Sequence, residues 1–180
     1  MDLRRINFGI EIETVKRTRE RVAQAIQSVV GGQVRHIGSP GSFDPWEVTD
    51  DQGRVWKVVS DGSLINVPVH LRAEVVSPVL SYEDIPVLQE VVRALRACGA
   101  KVDERCGIHV HVDATAFDGR TLANLAKIVY KQEALILTAL GVNETRRRSY
   151  SKPVSDDLIA QIERRRPRTR DQLNHIWYGY

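Results

Sequence analysis

Hydrophobic and polar residues alternate within Arg5 to Val15, RINFGIEIETV, where Ile6, Phe8, Ile10 and Ile12 interleave with Asn7, Gly9, Glu11 and Glu13. A period of two over this length predicts a half-buried strand with both glutamates on its polar face. From Thr18 to about Val30 the period lengthens. Val22, Ala23, Ile26, Val29 and Val30 recur at helical spacing, Thr18 is placed to cap the first turn, and Gly31-Gly32 end the run. Gly38 to Gly53 is rich in turn formers but broken by Trp46-Glu47-Val48, which predicts a loop holding a short strand. Val55 to Val59 reads as a strand, Ser60-Asp61-Gly62-Ser63 as a turn, and His70 to Val76 as a second long strand stopped by Ser77-Pro78. Tyr82 to Cys98 predicts a helix with Ile85, Leu88, Val91, Val92 and Leu95 on its apolar face and Gly99 at its end. A short strand at Lys101-Val102, a tight Cys106-Gly107 and a third alternating strand, Ile108 to Val112, come next. Helices over Leu122 to Leu140, Asp156 to Arg165 and Thr169 to Trp177 close the chain.

This order contains no internal repeat or low-complexity tract. It predicts an α+β fold, an antiparallel sheet with helices packed on one face. The 180 residues, 42% hydrophobic and 27% charged, suffice to enclose one sizeable core, so a single domain over 1–180 is expected. No window approaches the roughly 18 apolar residues of a membrane helix, and Met1-Asp2-Leu3-Arg4-Arg5 lacks the apolar stretch of a secretory signal. A soluble, cytoplasmic protein without a membrane partner is expected. Cys98 and Cys106 are too few for a disulfide framework, are not spaced as CxxC, and are expected to be reduced.

Charge changes the picture locally. The net charge is +3, yet Glu144 to Arg170 holds nine basic and four acidic residues. Arg146-Arg147-Arg148 and Arg164-Arg165-Arg166, with Arg168 and Arg170 close behind, read either as sites for a polyanion or as solvated helix and loop surface. Aromatic residues are not interleaved with them as in single-strand nucleic-acid binders: only Tyr150 neighbours the first cluster and only Trp177 follows the second. Nucleic acid is therefore not the expected partner.

The chemistry-bearing pattern is the recurrence of acids and imidazoles on strand faces. Glu11 and Glu13 project from one side of their strand about 7 Å apart, and two such charges repel unless a cation lies beside them. His109 and His111 repeat the arrangement in Ile108-His109-Val110-His111-Val112. Taken singly, each pattern also describes the wet face of an amphipathic strand. A shared sheet face carrying Glu11, Glu13, Glu74 and His109 would supply mostly oxygen ligands and one imidazole, which suits Mg2+ or Mn2+. Asp61 reads as a turn cap or as a further acid of such a site. Cys106, three residues before His109, reads as a nucleophile with a base or as a small buried filler, the turn at Gly107 favouring the filler. GxGxxG, Walker A, HExxH and GxSxG motifs are absent from the sequence.

Phe8-Gly9-Ile10-Glu11-Ile12-Glu13, Asp61-Gly62-Ser63-Leu64, Glu74-Val75-Val76-Ser77-Pro78 and Cys106-Gly107-Ile108-His109-Val110-His111-Val112-Asp113, in that order, resemble the amidoligase family. That family is similar in turn to the carboxylate-amine ligases of the glutamine synthetase and glutamate-cysteine ligase superfamily. The resemblance runs from Phe8 through Asn143 to Pro153 and on to Trp177-Tyr178-Gly179. It implies a glutamine-synthetase-like antiparallel sheet whose concave face holds ATP and Mg2+ or Mn2+. It further implies amide or peptide bond formation between a carboxylate substrate and an amine acceptor, amino acid or peptide, through an acyl phosphate.

Carried over residue by residue, the resemblance makes Glu11, Glu13, Glu74 and His109 metal ligands and places His111, Arg146, Arg147 and Lys152 beside the nucleotide. It gives catalytic roles to Glu13, Glu74 and Arg146. Relatives continue into a C-terminal block with a Glu-Phe-Arg strand and a glycine-threonine turn that does not follow here, so the resemblance implies a chain incomplete relative to the family. A non-catalytic ligand- or partner-binding module on the same fold and a metal-dependent hydrolase are the alternatives, since carboxylates and a histidine equally activate water.

Overall fold

The computed structural model describes residues 2–38 and 44–179. The part of the expected Gly38 to Gly53 loop that falls on 39–43 lies outside the described residues. The chain forms two compact units, one ending at Asp113 and the other beginning at Ala114.

The first unit is built on six strands: β1 (Phe8–Val15), β2 (Gln33–His36), β3 (Trp46–Thr49), β4 (Val55–Val59), β5 (Arg72–Val76) and β6 (Ile108–Val112). Their order across the sheet is β2-β3-β4-β5-β1-β6, and every pairing is antiparallel. The expected α+β architecture is the observed one. Two helices, α1 (Arg19–Val30) and α2 (Ile85–Ala97), cover one face. Ile12, Val48, Trp56, Val58, Ala73 and Val75 of the sheet meet Val22, Ala23 and Ile26 of α1 and Val91 and Leu95 of α2 in the main core. Burying each large member contributes about 1.5–3 kcal/mol, so the alternation read in β1 fixes which side of the strand faces the helices.

Local signals explain the boundaries. Thr18 caps α1 by accepting from the Arg21 amide. Gly32 then turns the chain into β2 with φ +74, and a Cβ there would lie 1.8 Å from the Thr49 carbonyl oxygen. Gly32→Ala is accordingly expected to lower stability by about 2–4 kcal/mol, from the combined strain and overpacking, as read from the urea midpoint. An unchanged midpoint would show that the β2–β3 edge yields freely.

Several elements of this unit depart from the sequence reading. β2 has a single apolar residue, Val34, and exists through its backbone pairing with β3. Val69–Leu71 is a 3-10 turn, so β5 starts at Arg72 and not at His70. Tyr82–Asp84 is also a 3-10 turn, closed by a Ser81/Asp84 capping box, and α2 proper begins at Ile85. Lys101 contributes only an isolated bridge to Val15.

Arg19 is 5% exposed. Its guanidinium donates to the Asp44, Val69 and Arg72 carbonyls and to the Asp44 carboxylate, which ties the start of α1 to the chain leading into β5.

The second unit holds α3 (Gly119–Ala139), α4 (Glu144–Ser149), α5 (Asp156–Arg165) and α6 (Arg170–Tyr178) around Ala123, Ala126, Ile162, Leu173 and Ile176. Asp118 caps α3 through the Thr121 amide and starts the helix three residues before Leu122. α4, with no apolar face, was not expected; Asn143 caps it. Gly119 permits a close approach to α6, since a Cβ there would lie 2.0 Å from the Thr169 carbonyl oxygen. No helix among the described residues is long and apolar enough to cross a membrane.

Candidate active site

The face of the sheet opposite α1 and α2 carries the polar residues of the alternating strands. Antiparallel register sets them side by side: Glu11 of β1 pairs with His109 of β6, and Glu13 pairs with Glu74 of β5. His111 is paired with Gly9, which presents no side chain, and reaches diagonally to Glu11. At the far end of this face, Leu64 and Val67 of the segment after β4 pack on Val15, with Leu71 and Cys106 around them. That packing brings the Asp61 turn to the acids.

Glu11, Glu74 and His109 each offer a ligand atom, and the three lie within 4.8 Å of one another. Ligands of an octahedral ion at about 2.1 Å stand about 3.0 Å apart when adjacent and about 4.2 Å when opposite, so small side-chain rotations bring this set to a divalent ion. Two carboxylates and an imidazole suit Mn2+ or Mg2+ and not a thiolate-seeking metal.

Glu11 is the hub. Its Oε2 is 2.9 Å from His109 Nδ1 and its Oε1 3.2 Å from His111 Nε2. The His109 hydrogen bond is the main reason its carboxyl is held below the ordinary value, with burial opposing and His111 assisting. Both imidazoles are more than half exposed while Glu11 is 27% exposed, so the site opens on the histidine side.

Glu74 responds in the other direction. Burial first, then the charges of Asp61, Glu11 and Glu13, push its pKa to about 7. Four acids converging on one half-buried spot favour either a proton or a cation there. Asp61 stays below its ordinary value despite the opposing effect of burial. The Ser63 hydroxyl and amide donate to it, it shares a hydrogen bond with Glu13, and the charge of His109 assists. Asp61 therefore caps its own turn and also stands against Glu13 and Glu74.

Glu13 is 5% exposed, and its Oε2 accepts the Gly107 amide at 2.6 Å. It stands beside the three-ligand group and holds the chain leading into β6. Cys106 is half-buried. Burial raises its thiol pKa, and its Sγ lies 4.0 Å from Asp103 Oδ1, which makes it the filler and not an activated nucleophile. A mostly apolar groove of about 360 Å3, lined by Gly9, Val76, Pro78, Val79 and His111, runs up to Glu11.

The remaining expected site residues belong to the second unit. Arg146 and Arg147 are half-buried on α4, with the Arg146 guanidinium 4.9 Å from the centre of the Tyr150 ring, and Lys152 is exposed.

No curated protein and no solved structure matches the chain. The family model described as "Putative amidoligase enzyme" matches residues 4–180, a span that takes in every residue of the acid-imidazole face as well as the four helices of the second unit, and the chain thus belongs to the amidoligase family of ligases.

Proposed function

We propose that the chain is an ATP-dependent carboxylate-amine ligase acting through an acyl phosphate, and that Glu11, Glu74 and His109 hold its divalent ion. The observation that carries this reading is the convergence of these three ligand atoms, from three adjacent strands, within 4.8 Å. A divalent ion bound there would offset the negative charge of a triphosphate.

The chemistry divides into two steps. A substrate carboxylate oxygen bonds to the γ-phosphorus as the bond to the ADP oxygen breaks. The amine nitrogen then bonds to the acyl carbon, loses a proton, and inorganic phosphate leaves. The protein residues supply position and charge. Glu11 aligns His109 and His111, Glu13 fixes the chain before β6 through Gly107, and the groove beside Gly9 and Val76 accepts an apolar part of a ligand. The family resemblance and their charge assign phosphate contacts to Arg146, Arg147 and Lys152.

Calorimetric titration with a non-hydrolysable ATP analogue, with and without Mg2+, tests the reading. We expect Mg2+ to tighten binding at least tenfold in the wild type and not in Glu11→Gln. A wild-type isotherm with no magnesium-dependent component would overturn it. Arg146→Gln with Lys152→Gln is expected to weaken the magnesium-dependent component by a further factor of about 10. An unchanged affinity in that double variant would remove these residues from the nucleotide site.

A further inference from the structure

The second arginine cluster has no part in the site above. Residues 114–180 carry twelve Lys and Arg against seven Asp and Glu, and the second unit gathers part of that excess in one place. Arg120, Ala123, Asn124 and Lys127 follow at spacings of three and four along one face of α3. Together with Ile162, Glu163 and Arg166 at the end of α5 and the Pro167-Arg168 link, they line a pocket of about 610 Å3. That volume falls within the roughly 300–1,000 Å3 of small-molecule sites.

Ala123, Ile162 and Pro167 are buried and form an apolar floor, while Arg120, Lys127, Arg166 and Arg168 surround it with Glu163 as the sole acid among the lining residues. None of these four cations is ion-paired among the described residues. Like charges drawn to one pocket repel, and an anion relieves them. Arg166 stands where helices usually end in glycine: it is the C-cap of α5 with φ 48 and ψ 60, in the left-handed region.

We infer that this pocket binds a small polyanion with two or more phosphate groups in succession, without a divalent ion. The lining carries four positive charges and one negative, a surplus of three. A single phosphate monoester, at about −2, leaves part of that surplus uncompensated, whereas a chain of two or three phosphates, at about −3 to −4, offsets all of it. Three guanidinium forks and an ammonium supply the donors that adjacent phosphates need. No aromatic ring is among the lining residues, so unpaired bases find no stacking platform, and a half-open pocket of about 610 Å3 suits a compact ligand over a strand. Inorganic tripolyphosphate and a nucleoside triphosphate share the recognised chemistry.

Calorimetry on the full chain in excess chelator tests this, with inorganic tripolyphosphate, ATP, AMP and a single-stranded RNA oligomer as probes. Tripolyphosphate is expected to bind at least tenfold more tightly than AMP. Arg120→Gln with Lys127→Gln, both on the surface of a helix, is expected to weaken it at least tenfold, and Glu163→Gln to tighten it about threefold. Arg166→Gly is expected to weaken binding while leaving Tm unchanged or raised, which a merely structural arginine would not do. Equal affinities for ATP and tripolyphosphate would identify the phosphate chain as the whole determinant, and tighter ATP binding would identify a nucleotide as the ligand. No metal-free binding by the folded wild type, binding indifferent to these substitutions, AMP binding as tight as tripolyphosphate, or RNA binding tighter than tripolyphosphate would each overturn the inference.

Discussion

Glu11→Gln is expected to weaken Mn2+ binding by about 100-fold and to lower ligase turnover by a factor of about 100 to 1,000, while the fold is retained. Glu11 is the residue on which the cluster converges, 2.9 Å from one histidine and 3.2 Å from the other as well as a member of the three-ligand group. The substitution keeps size and one acceptor oxygen, turns the other into an NH2 donor and removes the charge that both imidazoles face. Losing a ligand or its orienting partner costs about 10–100-fold in metal affinity, and losing a preorganised charge at a developing one costs about 100–1,000-fold in rate.

Glu13→Gln supplies the contrast. An amide oxygen still accepts the Gly107 N–H, so the buried contact that holds the chain before β6 survives. The expected loss is about tenfold. Titration of Mn2+ into the two variants, with circular dichroism as the check on folding, separates the roles. A larger loss in Glu13→Gln than in Glu11→Gln would make Glu13 the ligand and Glu11 the bystander.

That contrast was open in the sequence. Alternation placed Glu11 with Glu13, and His109 with His111, on shared faces, because side-chain direction in a strand follows residue parity. Parity says nothing of register. That Glu11 meets His109 while Glu13 meets Glu74 depends on how β6 and β5 slide along β1, which backbone pairing and the core contacts of Ile12 and Val75 decide. The burial of Glu13 has a longer-range cause, the packing of Leu64 and Val67 on Val15, and the same packing turns a local Asp-Gly-Ser turn into part of the site. β2 and α4 were illegible for the opposite reason: QVRH and ETRRRS contain too little apolar pattern, and pairing or a cap sustains them. The sequence carries no sign that Arg19 is buried; the chain positions of Asp44, Val69 and Arg72 make it a buried tie.

The pH dependence of stability follows from Glu74. Its pKa rises from 4.5 in the unfolded chain to about 7 in the folded protein, through burial and the neighbouring Asp61, Glu11 and Glu13 charges. Between these values the folded state binds more protons than the unfolded state, so the stability of chelator-treated protein falls as pH climbs from 4.5 to 7 and levels off above. The full difference is about 3 kcal/mol at most, at 1.36 kcal/mol per unit. Asp61 and Glu11, whose values are lowered, act in the opposite sense and only as pH falls below their ordinary values, outside this window. On the proposed metal reading Mn2+ is expected to reverse the trend, because above pH 7 it would bind without displacing a proton. Urea unfolding at pH 5, 6, 7 and 8, in chelator and in Mn2+, is expected to show the metal stabilising the wild type most at pH 8. Glu74→Gln removes the charge that the other acids oppose. In chelator at pH 8 the variant is therefore expected to be more stable than the wild type, and its response to Mn2+ is expected to be small at every pH. Parallel pH profiles for the two proteins would mean that the acids around Glu74 are relaxed by solvent and that the site does not depend on a cation to be stable at neutral pH.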